Sequence, residues 1–204
     1  MKFLWPKALL LTAVGLVGTV AVPADPEQEQ QITAIRKLLV DINVATNLSR
    51  STVNIDALTS EGGSMEVYRE PSGAVRKLVV AGLGYVGRDI SEYYLENEQL
   101  RFLYQRVEFY NRPMTEVRVS ELRIASSRDQ RFYFVDGKLI RWLDSKVGEV
   151  LPAEPAFEQR EAEIREYFDK LRELFGETEA EMSREMGVGS REREQSRERE
   201  ESRE

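Results

Sequence analysis

The sequence predicts an α+β domain, in which an antiparallel β-meander sheet of about six strands is flanked by an N-terminal and a C-terminal helix. Apolar residues recur at helical spacing near both ends of residues 25–176, whereas between these ends they alternate with a period of two and are interrupted by turn sequences. The 204-residue chain then divides into a signal peptide over 1–24, the α+β domain over 25–176 and a disordered Arg/Glu-rich tail over 177–204.

The first residues have the pattern of a secretory signal. Two lysines lie within the first seven residues, an uncharged run follows from Ala8 to Val22, and Val22-Pro23-Ala24 supplies small residues at a cleavage position. The alternative is an uncleaved anchor, although the run is shorter than the roughly 20 residues that a span needs. We therefore expect an exported protein, periplasmic or extracellular, that contacts a membrane only through an uncleaved leader.

Composition excludes several classes of chemistry. The chain has no cysteine and no histidine, so it cannot hold a Ser-His-Asp triad, a cysteine nucleophile, a usual zinc site or a disulfide. It has no Asp-x-Asp-x-Asp-Gly calcium loop either, and we expect no metal and no cofactor. The tail from Ser190 to Glu204 has five arginines against six glutamates, and this near-neutral charge predicts no nucleic-acid binding.

Two helices are predicted from apolar residues three and four positions apart. Asp25 and Pro26 have the pattern of an N-cap and a first turn, and the helix is expected to run to Asn43 or Asn47. Its apolar stripe is Ile32, Ile35, Leu38, Leu39 and Ile42. The stripe of the second helix is Phe157, Ile164, Phe168, Leu171 and Phe175, with Gly176 as the C-terminal cap. We expect the second helix to pack beside the first.

The strongest strand signal is a β-hairpin over Arg131–Asp144, centred on the turn pair Asp136-Gly137. Pairing outward from that turn places Val135 opposite Lys138, Phe134 opposite Leu139, Tyr133 opposite Ile140, and Phe132 opposite Arg141. One face would then carry Phe132, Phe134, Leu139 and Leu143. The other would carry Tyr133, Val135, Ile140 and Trp142, so neither face is wholly polar.

Two further hairpins share this pattern. Glu92–Tyr104 has Asn97-Glu98 at the turn, and Met65–Val79 has Pro71-Ser72-Gly73. Ser51–Ser64 is predicted as a loop with a short strand around Val53 and Ile55. A strand is also expected at Val117 and Val119, with a bulge near Ser120 because the alternation changes parity there.

Aromatic residues of the second and third hairpins are the candidate partner-binding residues. An exposed patch for a sugar, a peptide or a partner strand would consist of Tyr94, Tyr104, Tyr133 and Trp142. The alternative is ordinary packing of these rings beneath a helix.

Residues 77–87 have the pattern of a strand followed by Gly-x-Gly-x-x-Gly, with the glycines at Gly82, Gly84 and Gly87. This stretch resembles the dinucleotide fingerprint of nucleotide-sugar dehydrogenases, and Glu108 lies where that resemblance implies a ribose-binding acid. A fingerprint needs a helix after its glycines, whereas the residues from Arg88 have the pattern of a strand and a turn. The other interpretation is that the glycines let a strand bend between two hairpins.

Two hairpin segments resemble segments of uncharacterised exported bacterial proteins and, more distantly, the MORN-variant repeat. Their sequences are Glu-Tyr-Tyr-Leu-Glu-Asn-Glu-Gln-Leu and Phe-Val-Asp-Gly-Lys-Leu-Ile-Arg-Trp. In that repeat an aromatic strand, a turn with Asn or Asp and Gly, and a leucine-containing strand recur. The resemblance implies an antiparallel sheet and supplies no functional residues. Glu98 replaces the turn glycine in one copy.

The favoured interpretation is an exported, non-catalytic binding module that uses a sheet face to hold a protein or glycan partner of the envelope. One alternative is a carboxylate-dependent hydrolase of the envelope, which requires two acids that converge in a pocket. Another alternative is a dinucleotide-binding protein that uses the Gly82–Gly87 motif.

Overall fold

The computed structural model describes residues 25–116, 118 and 121–176. Helix α1 spans Pro26–Val44, and helix α2 spans residues 155–176. Eight strands lie between the helices: β1 Ser49–Asn54, β2 Gly63–Arg69, β3 Val75–Gly84, β4 Gly87–Glu96, β5 Gln99–Tyr110, β6 Ile124–Val135, β7 Lys138–Asp144 and β8 Gly148–Val150. A short 3₁₀ turn, Asp56–Leu58, follows β1.

The strands form one antiparallel sheet in which each strand lies beside its neighbours in the chain, from β1 at one edge to β8 at the other. This confirms the α+β class and the antiparallel meander. The six strands of the predicted hairpins correspond to β2 through β7. The short strand predicted around Val53 and Ile55 overlaps β1 at Val53, and β1 and β8 extend the sheet at its two edges. At Gly148–Val150, β8 is too short to show a pattern in the sequence.

Helix α1 begins and ends close to where its sequence predicts. The Asp25 carboxylate accepts a hydrogen bond of 3.0 Å from the backbone N–H of Glu27, which satisfies a free donor of the first turn. The buried side chains of α1 are Ile32, Ile35 and Ile42. They pack against Tyr94, Phe102 and Tyr133 of the sheet.

Helix α2 packs on the opposite face of the sheet from α1. Successive residues of a strand point to opposite faces, and Tyr93 belongs to the cluster beneath α2 whereas Tyr94 belongs to the cluster beneath α1. The prediction that the helices pack side by side is therefore wrong, and the order of layers is helix, sheet, helix. Helical periodicity shows that an apolar stripe exists but not which sheet face it covers.

The third hairpin has the predicted turn but a different register beyond it. Val135 lies opposite Lys138 and Phe134 opposite Leu139, as predicted, but the next pairs are Tyr133 with Arg141 and Phe132 with Trp142. A bulge at Ile140 accounts for this shift. Since one extra residue reverses the facing of everything after it, Trp142 joins Phe132 beneath α2, and Leu143 lies on the α1 face. The predicted face assignment of these two residues is wrong.

The same bulge recurs in the other two hairpins. In the second, Leu95 lies opposite Leu100 and the next pair is Tyr94 with Phe102, so Arg101 is the extra residue. In the first, Arg69 lies opposite Val75 and the next pair is Tyr68 with Lys77, so Arg76 is the extra residue.

The turns of the second and third hairpins are also equivalent. Asn97 and Glu98 have φ of 51° and 63°, and Asp136 and Gly137 have 49° and 74°. Left-handed conformation at both central residues is the geometry of a tight hairpin turn with the twist of the strands. The prediction that the second and third hairpins share a turn is therefore confirmed.

Several predicted segments have no structural outcome. The leader 1–24 and the tail 177–204 lie outside the described residues, as do Val117, Val119 and Ser120, where a strand and a bulge are predicted. The described residues around this gap are not in a strand, and β6 begins at Ile124. Neither α1 nor the described part of α2 combines the length and the apolar character of a membrane-crossing helix.

Candidate binding surface

The structure does not bring the predicted aromatic residues together in an exposed patch. Tyr94, Tyr133 and Trp142 are only 4%, 4% and 7% exposed, and Tyr104 is half-buried. Tyr94 and Tyr133 lie beneath α1, on either side of Phe102, with ring centroids 5.8 and 4.9 Å from it. Trp142 lies on the other face, 5.5 Å from Phe132. These rings pack beneath helices, which is the alternative weighed from the sequence.

Polar contacts hold Tyr94 within the α1 interface. Its hydroxyl lies 2.6 Å from a carboxylate oxygen of Glu92 and 3.1 Å from the side-chain oxygen of Asn43 at the end of α1. Lys77 lies over the ring at 4.8 Å and pairs with Glu92 at 2.7 Å. Burial raises the pKa of Tyr94, as expected for a phenol removed from water. This network therefore fixes α1 on the sheet.

The Gly-x-Gly-x-x-Gly stretch is a hairpin. Gly84 pairs with Gly87 across the two-residue turn Tyr85-Val86, and β3 and β4 run antiparallel on either side. A dinucleotide fingerprint places a helix N-terminus where β4 stands here. The predicted ribose-binding acid, Glu108, lies on β5 and pairs with Arg88 at 2.6 Å.

The glycines of this hairpin allow close packing of backbone and loop. A Cβ on Gly82 would lie 3.2 Å from the Thr59 side chain, in the loop that follows β1. A Cβ on Gly87 would overlap the carbonyl oxygen of Glu108 on β5. Close approach therefore explains these two positions. The interpretation that the glycines let one strand bend between two hairpins is wrong, because Gly84 and Gly87 flank the turn of a regular hairpin of their own.

Four exposed apolar residues lie at the end of β3–β6 that carries this turn, and Val147 and Leu151 are exposed on either side of β8. Leu83, Tyr85, Val86 and Ile124 are 40%, 42%, 42% and 44% exposed. We call these four residues the apolar end. They lie beyond the reach of both helices, whose buried contacts lie toward the other end of the strands, near Leu95, Leu100 and Leu139.

Hydrogen bonds hold the apolar end in one conformation. The backbone carbonyl of Tyr85 accepts a hydrogen bond of 2.9 Å from the Met114 N–H. The side-chain hydroxyl of Tyr85 accepts a hydrogen bond of 3.0 Å from the Thr115 hydroxyl. The Val86 carbonyl accepts a bond of 2.9 Å from the Tyr110 N–H, and Tyr110 pairs with Ile124. The β3–β4 turn and the segment after β5 are thus joined into one surface.

On β4–β7 a row of polar residues lies between the apolar end and the core beneath α2. Cross-strand pairing aligns Ser91 on β4, Gln105 on β5, Gln130 on β6 and Asp144 on β7. Ser91, Gln130 and Asp144 are buried, which requires hydrogen-bond partners. A reactive site in this polar row would need two acids that converge at one point.

One half of the polar row is bonded to Asp89, which lies two residues before Ser91 on β4 and is counted with the row from here on. Its carboxylate accepts hydrogen bonds of 2.5 Å from Ser91 and 2.6 Å from Gln105, and Arg160 of α2 donates to Gln105. Burial raises the pKa of Asp89. Burial and the nearby Asp89 carboxyl also raise the pKa of Tyr167 to about 12.

The other half is centred on Asp144, whose carboxylate accepts bonds of 2.5 Å from Arg128, 2.8 Å from Gln130 and 2.8 Å from the N–H of Lys146. Asp89 and Asp144 lie on β4 and β7, three strand spacings or about 14 Å apart. The two acids do not converge. Each carboxylate already accepts hydrogen bonds from neighbouring groups of the protein. No group of three possible metal ligands occurs among residues 25–176 where they are described.

Sequence reasoning missed the apolar end because three of its residues, Leu83, Tyr85 and Val86, lie inside the glycine motif. A signal was nevertheless present. Two-residue hairpin turns favour Gly, Asn and Asp, whereas this turn is Tyr85-Val86, an apolar pair where water is expected.

Comparison of the chain with protein-family models, with curated proteins and with solved structures found no significant match.

Proposed function

We propose that this protein is an exported, non-catalytic binding module whose partner docks on the apolar end. The observation that carries the proposal is the exposure of Leu83, Tyr85, Val86 and Ile124, each at least 40%, on one end of the sheet. Apolar side chains gathered on a surface are typical of interaction sites. The proposal of export depends on the secretory pattern of residues 1–24.

The proposed partner is a protein that presents apolar side chains. Leucine, valine and isoleucine contribute no polar group to direct a sugar, whereas they gain free energy from burial against another apolar surface. Tyr85 adds an aromatic ring of the kind enriched at protein interfaces. A glycan would instead depend on the Tyr85 ring alone.

The fixed backbone of the apolar end favours binding. Because the Tyr85 and Val86 carbonyls are bonded to the Met114 and Tyr110 amides, little conformational freedom remains to be lost on docking. A preformed surface of this kind suits recognition better than a reaction that needs a closed pocket.

The enzymatic alternatives have less support. A carboxylate hydrolase needs two acids at one point, and the acids of the polar row lie on β4 and β7. A dinucleotide site needs a helix N-terminus after Gly87, and β4 begins there. The resemblance to the MORN-variant repeat remains a proposal about ancestry, which the shared bulge of the three hairpins supports.

Site-specific photo-crosslinking tests the proposed function. A photoreactive amino acid replaces Val86 in the full chain, and Val44, which is 68% exposed at the end of α1, serves as the matched control. We expect envelope extracts to yield a crosslinked protein from position 86 only, and the double variant Tyr85→Ser, Val86→Ser to lose its capture by an affinity tag. Identical products from both positions, or capture unaffected by the double variant, would contradict the proposal.

A further inference from the structure

The outer edge of β1 presents six residues with no strand beside them in the described part of the sheet. β1 ends the sheet with six residues, and Arg50, Thr52 and Asn54 are exposed along it. Toward the opposite edge the strands shorten in steps, since β6 extends past β7 at Ile124–Asp129. The last strand, β8, has three residues and is soon followed by Pro152, which has no N–H to donate. Exposed edges normally carry a bulge, a proline or several charges that prevent pairing. β1 has Arg50 as its one charge, and its described ladder with β2 is regular from Ser49 to Asn54.

The backbone hydrogen bonds show which residues of β1 face outward. The N–H of Ile55 donates to the carbonyl of Gly63 at 3.3 Å, so Ile55 and Gly63 form a hydrogen-bonded pair of the β1–β2 ladder. Such pairs alternate along an antiparallel ladder, and Val53, Ser51 and Ser49 therefore also bond toward β2. The N–H and C=O groups of the residues between them point away from the sheet. These residues are Arg50, Thr52 and Asn54.

We propose that β1 pairs antiparallel with β1 of a second copy of this chain, with Thr52 on the twofold axis. A twofold axis normal to the sheet keeps the α1 face of both copies on the same side and continues the sheet from one protomer into the next. In this register Thr52 lies opposite the partner's Thr52, and Arg50 lies opposite the partner's Asn54. Every outward N–H and C=O of the three residues then has a partner.

The side chains suit this register. Thr opposite Thr is a favourable cross-strand pair, and no like charges lie opposite one another. The Asn54 amide donates to the Asp56 carboxylate at 2.9 Å, so each Arg50 approaches the acidic end of the other strand. Within its own chain Arg50 pairs with Glu66 at 3.2 Å but keeps 61% of its side chain exposed, which leaves it able to reach across.

Disulfide trapping tests the register, because the chain has no cysteine of its own. Residues of a hydrogen-bonded antiparallel pair have Cα atoms about 5.5 Å apart, which a disulfide spans without strain. Thr52→Cys in the full chain should therefore form a covalent dimer under mild oxidation. Arg50→Cys is the matched control on the same strand and face, and its two cysteines would lie about 14 Å apart in this register.

A second pair of variants tests the backbone contact. Thr52→Pro removes an outward N–H at an edge position that tolerates proline, whereas Thr52→Val keeps that N–H. We expect sedimentation equilibrium to show concentration-dependent dimers of the unmodified chain and of Thr52→Val, and at least a tenfold weaker association of Thr52→Pro. Equal crosslinking of Thr52→Cys and Arg50→Cys, a monomer at all concentrations, or unchanged association of Thr52→Pro would each overturn the proposal.

Discussion

The α-carbon of Gly87 lies so close to the carbonyl oxygen of Glu108 that any side chain at position 87 would overlap it. The two residues belong to neighbouring strands, β4 and β5, at the edge of the apolar end. A glycine in a motif that resembles a nucleotide-binding loop is thus required by sheet packing.

Gly87→Ala should lower the free energy of unfolding by about 1–3 kcal/mol, because the methyl group forces two strands apart. Gly84→Ala is the matched control from the same motif, since its nearest contact would be an ordinary 3.4 Å. Urea unfolding followed by circular dichroism measures both variants. A larger effect at Gly84 than at Gly87 would contradict this packing argument.

Glu98→Gly should stabilise the protein by about 0.5–1 kcal/mol, because Glu98 adopts φ of 63° without the freedom of a glycine. The third hairpin has Gly137 at the equivalent position, with φ of 74°. Gly137→Ala should therefore destabilise the protein by a similar amount. Urea midpoints of the two variants should shift in opposite directions, and a shift in the same direction would show that the two turns are not equivalent.

The fluorescence of Trp142 should report a buried ring. The chain has a second tryptophan, Trp5, so the measurement uses the Trp5→Phe variant. Since Trp142 is 7% exposed and stacks on Phe132, its emission should be blue-shifted and quenched by acrylamide at least several-fold less than after unfolding. Quenching as strong in the native state as in urea would instead support an exposed aromatic patch.

Asp89 should make stability decrease as the pH rises above its unfolded pKa. Its pKa is raised in the fold by burial from an ordinary 3.8, so the folded state favours the protonated form. The stabilisation is complete below about pH 3.8 and is lost as the pH rises through the raised value. Asp89→Asn removes this titration but also disturbs the bonds from Ser91 and Gln105.

Urea unfolding of the unmodified chain and of Asp89→Asn at several pH values between 3 and 7 separates these two effects. As the pH rises, the unmodified chain should lose unfolding free energy relative to Asp89→Asn, whichever of the two is more stable at pH 3. A difference that stays constant, or that grows in favour of Asp89, would show that the pKa is not raised.

The local elements were largely predictable from the sequence because their signals are short-range. Asp25 and Pro26 mark the start of α1, and Asp136-Gly137 marks a tight turn that the structure confirms. The pattern also identified Asn97-Glu98 as an equivalent turn although the glycine is absent. Each of these signals depends on the backbone preferences of a few adjacent residues.

The sheet face on which each residue lies, and the order of the helix and sheet layers, were not predictable in the same way. The bulge at Ile140 moves Trp142 to the α2 face, and nothing in an alternating pattern shows one inserted residue when both faces are apolar. Similarly, the stripes of α1 and α2 do not specify which face of the sheet each helix covers. The apolar end escaped notice because Tyr85 and Val86 were interpreted as parts of a phosphate-binding loop.

The neighbour-to-neighbour order of the strands has a consequence for the order of folding. Each hairpin can form as soon as its own residues leave the ribosome, but Ile32 and Ile35 of α1 pack against residues as late in the chain as Tyr133. Until the third hairpin forms, part of the apolar stripe of α1 has no partner in the sheet. The apolar side of α1 is therefore fully covered only after the third hairpin has been synthesised, which makes completion of the sheet a step at which aggregation can compete with folding.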